Sequence, residues 1–333
     1  MTPNAQYITI DNNLDRVKQF LKEIIVEPKK LLKNWSAITN QTPAAKIGYV
    51  GQHLTSLITG VKGTGSGARG DDLADGSEVK SCNKVDQVDK CKSCGARVFR
   101  YETKCSNCDS DKIDRKDDSK WLFSVRDEHE LRQYLNMDRI ILLLMDYPKF
   151  EENDFNDIRV SVFEIYPKDS RMSVFGELIR NHYYNIYIPK INDNNNDNKA
   201  NPMNLHPFSF QFYKCNPIQI FECIIQNADS DDAEIYINED IYIEPRRTRD
   251  ATINPAPMPS SLIKKTEWQE LLDKANFETE IRPLLIEDIS LSTFTNLSDK
   301  NKTKYLPYLD ERLRNYISLR PIISNRQRQH YQR

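Results

Sequence analysis

The 333-residue chain has no long apolar run, no excess of basic charge and no histidine cluster. Each absence removes a class of function. The longest apolar stretch, Ile140-Ile141-Leu142-Leu143-Leu144-Met145, falls far short of the roughly 20 residues that span a bilayer and suits a buried strand. The polar opening Met1-Thr2-Pro3-Asn4 is unlike a signal peptide, so a cytoplasmic protein with no membrane partner is expected. A net charge of −2 gives no global pull toward nucleic acid, and any such contact must use local patches. His53, His129, His182, His206 and His330 show no metal-ligand spacing. No Gly-x-Ser-x-Gly or Walker motif occurs, which leaves serine-hydrolase and NTPase chemistry without support. There is no internal repeat. With 38% hydrophobic and 29% charged residues, a soluble protein of two or three domains is expected.

What is present is a short charged stretch, Gly70-Asp71-Asp72-Leu73-Ala74-Asp75-Gly76-Ser77-Glu78-Val79-Lys80. Asp75-Gly76 favours a two-residue type I′ turn and hence a hairpin. In that register Asp71, Leu73, Glu78 and Lys80 share one face, and Asp72 and Val79 the other. Two carboxylates and a lysine meeting at one spot can hold Mg²⁺ beside a phosphodiester and activate a water. The register selects Asp71 over Asp72 as partner of Glu78, and a one-residue bulge would reverse that choice. The alternative is a solvated acidic turn.

Upstream, Ile47, Val50, Leu54, Leu57, Ile58 and Val61 recur at helical spacing. The glycine-rich segment Gly63-Thr64-Gly65-Ser66-Gly67-Ala68-Arg69-Gly70 follows. Its Gly65-x-Gly67-x-x-Gly70 pattern is not a dinucleotide fingerprint, because it follows a helix and opens a hairpin.

The order helix, glycine-rich loop, Asp, Glu-x-Lys resembles the catalytic region of MutH-type nicking endonucleases and their restriction-enzyme relatives. The Gly48-Tyr49-Val50-Gly51-Gln52 helix matches, as do Asp71, Glu78 and Lys80 at their spacing. With cysteines after the motif, the whole chain looks more like the MamI-type restriction endonucleases. The resemblance implies a PD-(D/E)xK nuclease: a type II restriction endonuclease cutting double-stranded DNA at a specific sequence. Asp71, Glu78 and the Val79 carbonyl would hold Mg²⁺, Lys80 would act on the attacking water, and Gln52 and Asp72 would support them from behind. The related helix carries an acid where Thr55 stands here. Products with 5′-phosphate and 3′-hydroxyl ends, a homodimer and a cognate DNA methyltransferase as genetic partner are also implied. Alternatives are a monomeric repair nickase and a non-catalytic zinc-ribbon DNA-binding protein.

Four of seven cysteines form a pattern: Cys91-x-x-Cys94, ten residues, then Cys105-x-x-Cys108. Two such knuckles suit tetrahedral Zn²⁺, and four thiolates leave no open position, so the metal would be structural. A pair of disulfides or a redox motif are the alternatives, and disulfides fit poorly without an export signal. Cys82, Cys215 and Cys223 are expected to be free. Candidate DNA contacts are Arg69, Arg97, Arg100, Arg246 and Arg247. Arg249 joins the second patch, and Arg312, Arg314 and Arg320 lie in a basic C-terminal segment. Solvated surface is the competing reading for both patches.

The expected fold class is α/β: a restriction-endonuclease-like mixed β-sheet core flanked by helices, an inserted zinc ribbon and a C-terminal β-plus-helical region. Residues 1–168 would form the nuclease core with the ribbon at 88–112. Residues 169–250 would be a mixed α/β DNA-recognition region, and 260–333 a helical C-terminal region. Helices are predicted at 11–34, 46–60, 127–136, 173–188, 261–275 and 303–318. Strands are predicted at 121–125, 139–147, 159–166, 208–214, 218–226 and 234–243. The Asn/Asp run at 191–198 reads as a surface loop.

Overall fold

The computed structural model describes residues 1–39, 48–65, 71–83, 89–98, 102–115, 119–152, 154, 156–192, 202–249 and 257–320. The chain divides into two compact units. The first comprises residues 1–121, 137–166 and 219–250, and the second 122–136, 167–218 and 251–333. Among the described residues, no helix is long and apolar enough to cross a membrane.

The first unit is built on a five-stranded sheet. β1 (Ser77–Asn83), β2 (Arg139–Asp146), β3 (Ile158–Ile165), β4 (Ile218–Gln226) and β5 (Glu234–Ile237) lie side by side in that order. β1 runs parallel to β2, with Ser77 opposite Arg139, whereas β3 is antiparallel to β2 and β5 to β4. The sheet is therefore mixed, and among the described strands β1 lies at its edge. β2 carries the six-residue apolar run, and all eight of its positions are buried. A strand paired on both sides and covered on both faces demands such a continuous run. β4 and β5, which the sequence groups with a recognition region, share this layer with β1. β5 ends at Ile237, earlier than the strand predicted at 234–243.

On this unit, α1 (Asn13–Leu21), a π-helical turn (Lys22–Val26) and α2 (Glu27–Thr39) run on without a break, extending past the predicted end at 34. Trp35, just past that predicted end, lies inside α2. Val17, Leu21 and Val26 supply the buried side. α3 (Gly48–Thr59) buries Leu54 and Ile58. It approaches β1 so closely that a Cβ at Gly51 would sit 1.9 Å from Ser81 Oγ. Only glycine permits that approach.

The cysteine segment folds as its own small layer. Strands Asp89–Cys91, Arg97–Val98 and Ile113–Asp114 form a three-stranded sheet with Asp89–Cys91 in the middle. Cys91, Val98, Cys105 and Ile113 make its core. A buried ion pair between Arg115 and Asp89, at 2.7 Å, braces its base.

The second unit is mainly helical. Its elements include Glu128–Asn136, Ser173–His182 and Lys265–Lys274, as predicted in outline. Phe123 packs edge-on against Tyr134 and Phe175, with ring centroids 5.6 and 5.2 Å apart. Residues 208–214 differ from expectation: the predicted strand is the helix Phe210–Lys214. The alternation of Phe208, Phe210 and Phe212 mimics a strand, but Ser209 caps the helix by accepting from the Phe212 N–H at 3.2 Å. The helix predicted at 303–318 is two short ones, Asp299–Tyr305 and Glu311–Tyr316, separated by Pro307 and a short strand at Tyr308–Leu309.

Candidate functional site

The acidic turn before β1 is tied down from three directions, and its geometry differs from a type I′ hairpin. The Gly76 N–H donates to the Leu73 carbonyl at 3.1 Å, so Ala74 and Asp75 are the central turn residues. Of the turn residues only Gly76 has a positive φ, +81°. The N–H groups of Asp72 and Leu73 both donate to the Ser77 carbonyl, at 3.0 and 3.1 Å, which marks a one-residue bulge. The physical reason is conformational. A type I′ turn would force Asp75 to positive φ, whereas a type I turn with a bulge asks this only of glycine. Asp75 instead turns its carboxylate inward, where Oδ1 accepts from the Ser77 N–H at 3.2 Å.

The bulge removes the register that selected Asp71. Asp72 Oδ2 accepts from the Val79 N–H at 2.8 Å, and Gln52 Nε2 of α3 donates to Asp72 Oδ1 at 2.6 Å. Asp71 is exposed, its backbone carbonyl accepts from the Thr64 hydroxyl at 3.0 Å, and its carboxylate lies beside Gly76. In an extended chain the N–H and C=O of one residue point to the same side. Val79 gives its N–H to Asp72, so its carbonyl opens on that same sheet edge, away from β2.

Glu78 and Lys80 are two residues apart on β1 and share a face, and the Lys80 ammonium contacts Glu78 Oε1 directly. Burial pushes the Glu78 carboxyl above its ordinary value. Lys80 opposes that rise, and Asp72 and Asp71 add to it. Asp72 is raised in the same way by burial, against the Val79 N–H and Lys80, with Asp71 adding to the rise. Partly desolvated carboxylates that repel one another favour a bound cation. Thr55 of α3 is buried, and among the described residues its hydroxyl meets no partner. Thr55 brings no carboxylate to this edge.

A second constellation lies beneath the turn. Arg139, at the start of β2, donates from Nε to Ser77 Oγ at 2.9 Å, from Nη1 to Glu164 Oε1 at 2.8 Å and from Nη2 to Asp75 Oδ2 at 2.5 Å. Glu164 is fully buried in β3 and also accepts from Arg249 Nε at 2.9 Å and the Tyr166 hydroxyl at 2.7 Å. Burial works against the Glu164 carboxylate, but Arg249 and Arg139 outweigh it and hold its pKa below the ordinary value. Arg249 is therefore part of the core and not of a basic patch. Sequence reasoning missed Arg139 and Glu164. The available signal was a charge at the head of the most apolar run in the chain and another inside an apolar alternating strand.

Arg97, Arg246 and Arg247 are exposed, and Arg246 donates to the Ile8 carbonyl at 3.0 Å. Arg69 and Arg100 lie outside the described residues. In the C-terminal segment Arg314 is buried and Arg320 pairs with Glu267 at 2.6 Å, so neither is a solvated patch residue. His53 packs its ring 6.2 Å from that of Phe20.

The sulfurs of Cys91, Cys94, Cys105 and Cys108 all lie within 4.8 Å of one another, a set that can hold a metal ion. Backbone N–H groups turn toward them. Burial opposes the Cys91 thiolate, but the N–H groups of Cys94 and Ser93 overcome it and bring Cys91 down to about 6. Cys94 is lowered by the Ala96 N–H and by Asn107, whose Nδ2 lies 3.6 Å from Cys94 Sγ. Gly95 takes φ +74° beneath the first knuckle.

Comparison with known proteins gives one family. The sequence profile of the MamI restriction endonuclease family matches residues 34–261. The type II restriction enzyme MamI of Microbacterium ammoniaphilum is 32% identical over 83 residues, which cover 25% of this chain and 27% of that enzyme. The chain thus spans about a quarter of the length of the curated relative it matches. No solved structure matches.

Proposed function

Because the chain belongs to the MamI restriction endonuclease family, we propose that it is a type II restriction endonuclease whose catalytic centre is the edge of β1. The observation that carries this reading is the convergence of Asp72, Glu78 and Lys80 there, with the Val79 N–H holding Asp72. Hard oxygen donors of this kind suit Mg²⁺. Glu78, the Val79 carbonyl and the Asp71–Asp72 step would hold it. Asp71 fits the spacing of the motif, while the hydrogen bonds from Val79 and Gln52 favour Asp72. Once bound, the cation would supply Lewis-acid stabilisation of the phosphodiester and lower the pKa of a water. Lys80 carries a positive charge to the phosphate and can orient the attacking water through its ammonium donors. Gln52 fixes the carboxylate plane of Asp72 from behind. The mixed sheet with its flanking helices serves as the PD-(D/E)xK core, and the four-cysteine layer as a structural zinc ribbon.

The substrate would be double-stranded DNA, cut at a specific sequence by two copies of the chain, one per strand. Residues 169–250 would include base-reading contacts, with Arg97, Arg246 and Arg247 as surface candidates. A companion methyltransferase would protect the host sites.

Plasmid cleavage with Mg²⁺ or Mn²⁺ tests the assignment. Glu78→Ala and Lys80→Ala should abolish cutting, and Asp72→Ala should lose more activity than Asp71→Ala. A triple Asp72→Ala/Glu78→Ala/Lys80→Ala variant that still cuts would refute it. Linear product without accumulated nicked circles supports paired cutting, and predominantly nicked product supports the monomeric nickase instead.

A further inference from the structure

Three aspartates crowd the turn, and one of them is kept away from the metal edge. We propose that Arg139 and Asp75 are positioning residues: their buried link fixes the turn so that Asp72 and Glu78 face one another, and it withdraws the Asp75 carboxylate from competition for the cation. The proposal rests on the nuclease reading above.

Arg139 joins three elements through three separate donors. Nη2 reaches Asp75 in the turn, Nε reaches Ser77 at the first residue of β1, and Nη1 reaches Glu164 in β3. Ser77 is directly opposite Arg139 in the parallel register and directly precedes Glu78. The Asp75 side chain is only 9% exposed and that of Arg139 5%. Asp75 is held at both oxygens, Oδ1 by the Ser77 N–H and Oδ2 by Arg139. The turn therefore cannot rotate about Gly76 without breaking a buried charge pair.

Stability alone is a weak reason for such a network. Well-packed apolar side chains often replace a buried ion cluster without loss, whereas ion pairs impose one geometry. The rigid guanidinium fork suits that purpose, because its donors point in fixed directions. Gly76 adds a further constraint: its φ of +81° is a backbone conformation that residues with a side chain rarely adopt. Arg139 thus sorts the acids of the turn. Asp75 faces the guanidinium, and Asp72 remains on the edge beside Val79.

Direct Mn²⁺ binding, followed by the electron paramagnetic resonance of free Mn²⁺ with the intact protein, tests this apart from cleavage. Wild-type binding should disappear in Glu78→Ala. Partners that orient metal ligands typically change affinity about 10–100-fold when removed, and Asp75→Ala should weaken Mn²⁺ by that factor. The half-saturating Mg²⁺ for plasmid cleavage should rise in parallel, and excess Mg²⁺ should restore most of the rate. Arg139→Met, which leaves Glu164 paired with Arg249, should behave like Asp75→Ala, and Arg139→Lys should not rescue it. If Asp75→Ala fails to fold, Asp75→Asn is read by the same criteria, because it keeps the shape and removes the charge. Glu78-dependent Mn²⁺ binding that is indifferent to Asp75 and Arg139 overturns the proposal while leaving the nuclease reading intact. Mn²⁺ binding that ignores Glu78 removes the nuclease reading itself.

Discussion

Replacing Glu164 by leucine should be among the most damaging single changes in the first unit. The side chain is fully buried and has two guanidinium partners and a tyrosine hydroxyl. In Glu164→Leu, Arg139 keeps Asp75, but among the described residues Arg249 retains only backbone carbonyls, those of Glu244 and Pro245 at 3.2 and 3.4 Å and that of Arg247. Stranding one partner of a buried ion pair costs roughly 3–5 kcal/mol. For a folding unit of this size, each kcal/mol lowers the melting temperature by about 2–4 °C, so a fall of about 6–20 °C is expected in calorimetry. The double variant Glu164→Leu/Arg249→Met removes the stranded charge and should recover most of the loss. The pH dependence has a definite sign. The folded pKa of Glu164 is depressed, because Arg249 and Arg139 outweigh burial. Its contribution is therefore complete above the unfolded value of about 4.3 and is lost as pH falls through the folded pKa. The gap between wild type and Glu164→Leu should stay constant from neutral pH to about 5 and close below the ordinary carboxylate range. A single variant that melts within a degree of wild type, or a double variant no better than the single, would refute the reasoning.

Two further outcomes follow from packing and metal chemistry. Gly51→Ala places a methyl 1.9 Å from Ser81 Oγ, and such overpacking should cost about 1–3 kcal/mol; pairing it with Ser81→Gly should restore the melting temperature measured by circular dichroism. Cys91→Ser/Cys105→Ser should take elemental zinc from one per chain to none and open residues 89–115 to trypsin, and full resistance with no metal in the wild type would refute the ribbon.

The parts of this molecule that were legible in sequence are those whose cause is local. The apolar run at 140–145 could only be an interior strand, and the two cysteine knuckles state their own geometry by spacing. Glu78 and Lys80 fall on one face because strand periodicity requires it. The helix at Gly48–Thr59 and its glycine at 51 were visible as a pattern, although the contact with Ser81 that explains the glycine was not. Other features were set by competition between local preferences. Phe208 to Phe212 alternates like a strand, but Ser209 supplies a cap and helix wins. Asp75-Gly76 suggests a type I′ turn, but the aspartate finds better use for its side chain at Ser77 and Arg139. The Arg139–Glu164 network was invisible for a different reason. Arg139 meets Asp75 across 64 positions and Glu164 across 25, and no local window contains them.

The parallel pairing of β1 with β2 also sets when the proposed catalytic edge comes into being during synthesis. Ser77 and its anchor Arg139 are 62 residues apart in the chain. At roughly 5–20 residues per second on the ribosome, the turn and its Glu-x-Lys strand wait about 3–12 seconds for the strand that supports them. Among the described strands β1 has no other neighbour in the sheet. In that interval the cysteine layer, whose three strands pair with one another within residues 89–114, can close by itself. A nascent chain would therefore carry a finished cysteine layer before it carries the assembled edge proposed to cut DNA, and under that proposal it would become competent only after β2 had emerged.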